Sequence, residues 1–165
     1  MSVNILVFDK SKAPTEPMEF LRWFHGKAQW NADRDYNDIQ GTTQPLADYF
    51  LELVKEYPSM NGKYAPSDED LERDPELEIK MIDFTIDDDL IYMGVSYSAD
   101  GEEFDRIEEL AYKHGLGFCD MFFIYFDKET KVRLPQISPE DTNKQAANDP
   151  PKKKGLFAKI FGKKK

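Results

Sequence analysis

The chain holds one cysteine, Cys119, and two histidines, His25 and His114, among 165 residues. A single thiol excludes an intrachain disulfide and fits a reducing compartment. Neither histidine stands in a HExxH or CxxC-like arrangement, so the spacing that metal ligation needs is missing. GxSxG, P-loop and GxGxxG motifs are also missing, and Gly115-Leu116-Gly117 is too short for a dinucleotide fingerprint. That tripeptide reads as a helix stop followed by a strand start. No segment approaches the roughly 20 apolar residues of a membrane span. The N-terminal MSVNILVFDK lacks the basic region and long apolar run of a signal peptide. These absences predict a cytoplasmic chain with no metal and no cofactor.

Acid and aromatic residues are plentiful. There are 32 Asp and Glu against 22 Lys and Arg, for a net charge of −10, with 12 Phe, 8 Tyr and 2 Trp. The aromatics supply a sizeable core for one domain. The charge is divided unevenly. Residues 152–165, KKKGLFAKIFGKKK, carry seven lysines and no acid, so the remainder carries −17. Such a body repels nucleic acid and suits a basic protein partner. The end of the chain prefers the opposite charge.

Val3 to Phe8 reads as a buried strand. Thr15 and Pro17 open a helix through Phe20, Leu21, Trp23 and Phe24 that ends near Trp30. Thr43 and Pro45 open a second, where Leu46, Tyr49, Phe50, Leu53, Val54 and Tyr57 keep helical spacing until Pro58. Ser59 to Glu76 reads as a long polar loop. Ile79–Ile86 and Leu90–Tyr97 read as a hairpin turning at Asp87-Asp88-Asp89. Asp100 and Glu103 have capping-box spacing before a third helix, with Phe104, Ile107, Leu110 and Ala111 on one face and Gly115 at its end. Phe118–Phe126 and Lys131–Leu134 read as the last strands. The order βααββαββ predicts an α+β fold with a ferredoxin-like antiparallel sheet and helices on one face. The domain spans residues 1–135. Residues 136–151 form a disordered linker, and 152–165 a basic amphipathic tail.

Candidate chemistry competes with ordinary structural roles. Asp33-Arg34-Asp35-Tyr36-Asn37 starts like a calcium loop, but Asp38 stands where glycine is needed and Gln44 where a bidentate glutamate is needed. Asp87, Asp88 and Asp89 read as turn residues facing water. Cys119 reads as a small buried strand residue. Trp30 and Tyr36 are the aromatics expected at the surface. With the acidic Asp68, Glu69 and Asp70, they form a candidate partner-binding surface.

The tail has the most specific pattern. On a helix, Leu156, Phe157, Ile160 and Phe161 fall within an arc of about 140°. Lys152, Lys153, Lys154, Lys163, Lys164 and Lys165 flank this stripe, and Lys159 lies off it. That is a small version of the basic amphipathic segments that lie in a membrane interface. An acidic protein surface, the body's own included, is the other surface such a tail can contact.

Certain residues also recur in a known order: Leu6-Val7-Phe8, Ala13-Pro14, Phe20 with Trp23, Trp30, Pro58 through Met60-Asn61-Gly62, and His114-Gly115 before Gly117-Phe118. Over roughly residues 3–135 this resembles a family of small, uncharacterised bacterial cytoplasmic proteins. The resemblance implies a bacterial, cytoplasmic setting and no activity. Two functional expectations follow. One is a non-enzymatic protein-interaction module, immunity-type in its concrete form, whose tail contacts an anionic membrane or acidic surface at the inner face of the membrane. The other is a small cytoplasmic enzyme with His25, His114 or Cys119 in a pocket on the sheet.

Overall fold

Strand β1 (Ser2–Phe8) alternates its side chains to two faces, and both are buried: Ile5, Leu6, Val7 and Phe8 are each at most 1% exposed. A strand like this must lie inside a sheet covered on both sides. The computed structural model describes residues 2–96 and 101–136, and in it β1 is central. It pairs antiparallel with β3 (Leu90–Ser96) on one side and β4 (Gly117–Cys119) on the other. β2 (Ile82–Ile86) adds to β3, and β5 (Phe123–Tyr125) and β6 (Lys131–Arg133) extend the sheet beyond β4. The result is a mixed helix and sheet fold with a six-stranded antiparallel open sheet in the order β2-β3-β1-β4-β5-β6. The expected linker and tail, apart from Gln136, lie outside the described residues.

The helices do not share one face, which corrects the expected arrangement. Helices α2 (Gln44–Glu56) and α5 (Glu102–Lys113) pack side by side over Ile5, Val7, Met93 and Val95. Leu46, Phe50, Leu53, Ile107 and Ala111 are buried there, and Phe104 is half-buried against them. Helix α1 (Pro17–Lys27) lies on the other side, where Phe20, Leu21 and Phe24 meet Leu6, Phe8, Leu90, Cys119 and Ile124. The physical reason is β1 itself. Leu6 and Phe8 point away from α2 and α5, and α1, with Phe126 and Leu134, removes them from water.

Several boundaries differ from the sequence reading. Helix α1 is capped by Glu16, not Thr15; its carboxylate accepts from the amides of Met18 and Glu19 at 3.1 and 2.8 Å. The expected loop 59–76 contains a 3-10 turn (Gly62–Tyr64), α3 (Asp68–Arg73) and the start of α4 (Glu76–Lys80). Ser67 and Asp70 form a capping box that starts α3. Ile79 belongs to α4, not to a strand, and is 71% exposed. Gly101, in the left-handed region, occupies the N-cap of α5, and Asp100 lies outside the described residues. The run Phe118–Phe126 is two strands, because Asp120 Oδ1 accepts from the amides of Phe122 and Phe123 at 2.9 and 2.7 Å and reverses the chain.

The Gly115-Leu116-Gly117 reading holds in detail. Gly115, at φ 70°, ends α5 while its amide bonds Tyr112 O, and Leu116 bonds Ala111 O, a Schellman stop. Gly117 then pairs with Phe8. A Cβ at Gly117 would fall within the Phe8 ring. That ring is fixed by edge contacts with Phe20, Trp23 and Phe126, at centroid distances of 4.9, 6.3 and 6.0 Å. Gly117→Ala should therefore cost about 1–3 kcal/mol through overpacking, measured by urea unfolding. An unchanged midpoint would mean that the ring moves freely.

Candidate functional site

The most densely connected polar cluster sits where β1 ends, at the β2–β3 turn. Asp87 is only 5% exposed. The Asp89 side chain is 13% exposed and that of Asp88 55%, so one carboxylate of the three faces mainly water. This corrects the reading of all three as solvated. Lys27, in the last turn of α1, reaches Asp88 Oδ1 at 2.6 Å and Asp89 Oδ1 at 3.0 Å. Arg34 Nη1 lies 3.9 Å from Asp87 Oδ1. The turn also holds its neighbours by backbone. Thr43 N donates to Asp88 O at 2.8 Å, Asp9 N to Asp89 O at 3.0 Å, and Thr42 Oγ1 to Asp87 O at 3.0 Å.

Burial pushes the Asp87 and Asp89 carboxyls up. Burial acts on Asp88 in the same sense, but the hydrogen bond and charge of Lys27 outweigh it and bring that carboxyl down to about 2. Burial would lower the Lys27 ammonium, and its bonds to Asp88 and Asp89 raise it instead. The cluster is a clasp between α1, the loop 31–43 and the hairpin. Its cations already occupy the carboxylates. Among the described residues no group of His, Cys, Asp and Glu is placed to hold a metal ion.

The calcium-like loop is organised the other way round from a cation site. Its centre is the Arg34 guanidinium, which donates to Gln40 O and Thr42 Oγ1 at 3.2 Å each. Asp35 Oδ1 is used within the loop, accepting from Asn37 N at 2.9 Å.

The sequence-derived candidates are dispersed. Trp30 and Tyr36 are half-buried, with ring centroids 5.7 Å apart, and Trp30 packs 5.8 Å from Tyr92. Tyr36 Oη accepts from Ala32 N. Asp68, Glu69 and Asp70 lie in the first turn of α3, where their charge favours the helix dipole. Asp70 is taken up by the cap, while Asp68 and Glu69 are exposed. His114 lies on the α2–α5 side, 2.7 Å from Glu52 Oε2. Hydrogen bonds from Lys113 and His114 hold the Glu52 carboxyl down to about 2. Cys119 points to the other side of the sheet, 1% exposed, and burial pushes its thiol up to about 12. His114 and Cys119 are thus separated by the sheet. His25 lies half-buried on α1 beside Gln29. The tail lysines and its apolar stripe lie outside the described residues.

Sequence reasoning missed Lys27 as the partner of the aspartates. The two are 61 residues apart, and no local pattern links them. It also missed a groove of about 270 Å³ lined by Asp105, Glu108, Glu109, Tyr112 and Lys128. The i, i+3, i+4, i+7 spacing of the first four was the available signal. No family model matches the chain, and no curated protein or solved structure matches it either.

The clasp makes a pH-dependent prediction. Lys27→Met keeps the apolar stem but leaves the Asp89 carboxylate without its ammonium. It should destabilise the fold by about 1–3 kcal/mol at pH 7. Asp87 and Asp89 have raised values, so their ionised forms oppose folding, and that opposition disappears as pH falls through those values. The deficit should therefore shrink at about pH 4.5. Urea unfolding at both pH values tests this, and an equal deficit at both would show that Lys27 acts through Asp88, which stays ionised at both, and not through Asp89.

Proposed function

We propose that the chain is a non-enzymatic interaction module, with an acidic body that takes a basic protein partner and a tail, residues 152–165, that contacts an anionic membrane. The observation that carries this is the opposition of charge, −17 on the body and seven lysines around Leu156, Phe157, Ile160 and Phe161 in the tail. Lysines near an anionic leaflet contribute up to about 1 kcal/mol each. Four partly inserted apolar side chains add a few kcal/mol more.

The body's side of the reading is supported by α3 and α4. Asp68, Glu69, Glu72, Asp74, Glu76 and Glu78 are exposed around Ile79. Acids around an exposed aliphatic anchor suit a basic partner with an apolar contact, the pattern of an immunity-type protein against a basic toxin. We read the four strands β2-β3-β1-β4 as ferredoxin-like winding with α2 and α5 as crossovers, in support of which all their pairings are antiparallel. A bacterial chain working in the cytoplasm at the inner face of the membrane fits this reading.

Vesicle flotation tests the membrane contact. The full chain should float with anionic vesicles and the chain ending at Pro151 should not. Salt should weaken the binding because the attraction is screened. Phe157→Ser with Phe161→Ser should weaken it at least about tenfold at unchanged charge. Equal flotation of full and truncated chains would remove the tail as the anchor. A salt effect with no effect of the serines would leave a plain polybasic segment.

A further inference from the structure

We infer that the tail has a docking surface on its own body, the groove between the outward face of α5 and the β5–β6 turn, and that the docked tail is withheld from the membrane. The inference rests on reading the tail as an amphipathic contact segment. Three independent features of the body support it.

The first is a shallow, open depression of opposite charge. Asp105, Glu108 and Glu109 line the groove from α5, and Tyr112 closes it with its hydroxyl donating to Glu108 Oε1 at 2.7 Å. Lys128 lies on the opposite rim.

The second is apolar surface beside the acids. Helix α5 packs over β4. On the next strand Phe123 and Tyr125 remain half-buried, with centroids 6.2 Å apart. Lys131 Nζ lies 4.8 Å from the Phe123 ring centroid. The groove itself is lined by the acids and Tyr112 of α5 and by Lys128 of the β5–β6 turn, and Phe123, Tyr125 and Lys131 lie on the strands that this turn joins. In the docked state the tail's lysines meet Asp105, Glu108 and Glu109, while Phe157 and Phe161 meet Tyr112, on the same helix, and Tyr125.

The third is reach. The described chain ends at Gln136, just past β6, and residues 137–151 separate it from Lys152. Fifteen residues span at most about 50 Å when fully extended and roughly 20 Å as a random coil. The β4 strand under α5 is two strand spacings from β6, roughly 10 Å. The other acidic surface, α3 and α4, precedes β2 at the far edge of the sheet, five spacings or roughly 24 Å from β6. At the shorter of these two distances the tether gives the tail an effective concentration on the order of mM at the groove. Weak contacts then suffice, and an anionic membrane must compete for the same lysines and phenylalanines.

The test is amide NMR of the full chain and of the chain ending at Pro151, without lipid. Expected differences fall on Asp105–Tyr112 and Phe123–Lys131, are recovered when a peptide of residues 152–165 is added to the truncated chain, and vanish in about 0.5 M salt. They should also vanish in Asp105→Asn with Glu108→Gln and Glu109→Gln, whose helix content is checked by circular dichroism. In flotation that triple variant should bind anionic vesicles at least about threefold more tightly than the wild type. Asp68→Asn with Glu69→Gln and Glu72→Gln removes the same charge elsewhere and should gain less than half as much. Differences confined to residues 133–136, or centred on 68–79, would overturn the inference, as would equal gains in the two triple variants. If the amide differences appear and no form floats, docking stands and the membrane reading falls.

Discussion

Val7 and Phe8 are neighbours on one strand, both fully buried, and they point to opposite sides of the sheet. Every larger feature of the fold answers that constraint. One face of β1 requires α2 and α5, the other requires α1, and neither set covers both. The same requirement brings Phe8 over Gly117, so the glycine after α5 serves the packing of α1. Burying a Phe or Ile contributes about 1.5–3 kcal/mol. The alternation along β1 therefore outweighs any local preference that would place all the helices together.

The charged clasp is a consequence of the same layout. Because α1 lies on one side of the sheet and α2 on the other, the chain between them must pass the end of the β2–β3 hairpin. There Lys27 and Arg34 meet three successive aspartates. Burying carboxylates is costly unless they are paired, and Asp87 and Asp89 bear that cost, which Lys27 and Arg34 offset. An arrangement that uses up its charges internally joins elements together and leaves little with which to bind a cation or activate water.

The free charge lies elsewhere. Asp68, Glu69 and Glu72 on α3, Glu76 and Glu78 on α4 and Asp105 and Glu109 on α5 remain at the surface, and the chain's largest cluster of lysines lies in the tail. A body and an end of opposite sign attract each other, and either can engage an outside surface of the right charge. Competition between the groove and a membrane would make membrane contact depend on ionic strength and on whatever occupies the body.

Sequence by itself determined the elements whose signal is local. The spacing of Leu46, Tyr49, Phe50 and Leu53 dictates α2, the left-handed glycine at 115 ends α5, and the aspartate run turns the hairpin. The division of charge and the tail's stripe are likewise properties of order along the chain. Sequence did not determine which side of the sheet α1 takes, because an apolar stripe on a helix specifies burial and not a partner. Nor did it reveal that Phe118–Phe126 reverses at Asp120, because an aromatic run satisfies one long strand as well as two short ones. The pairing of Lys27 with Asp88 and Asp89, and the meeting of α5 with the β5–β6 turn, were decided by tertiary structure alone. Those groups are distant in the chain, and only the two-sided burial of β1 brings them together.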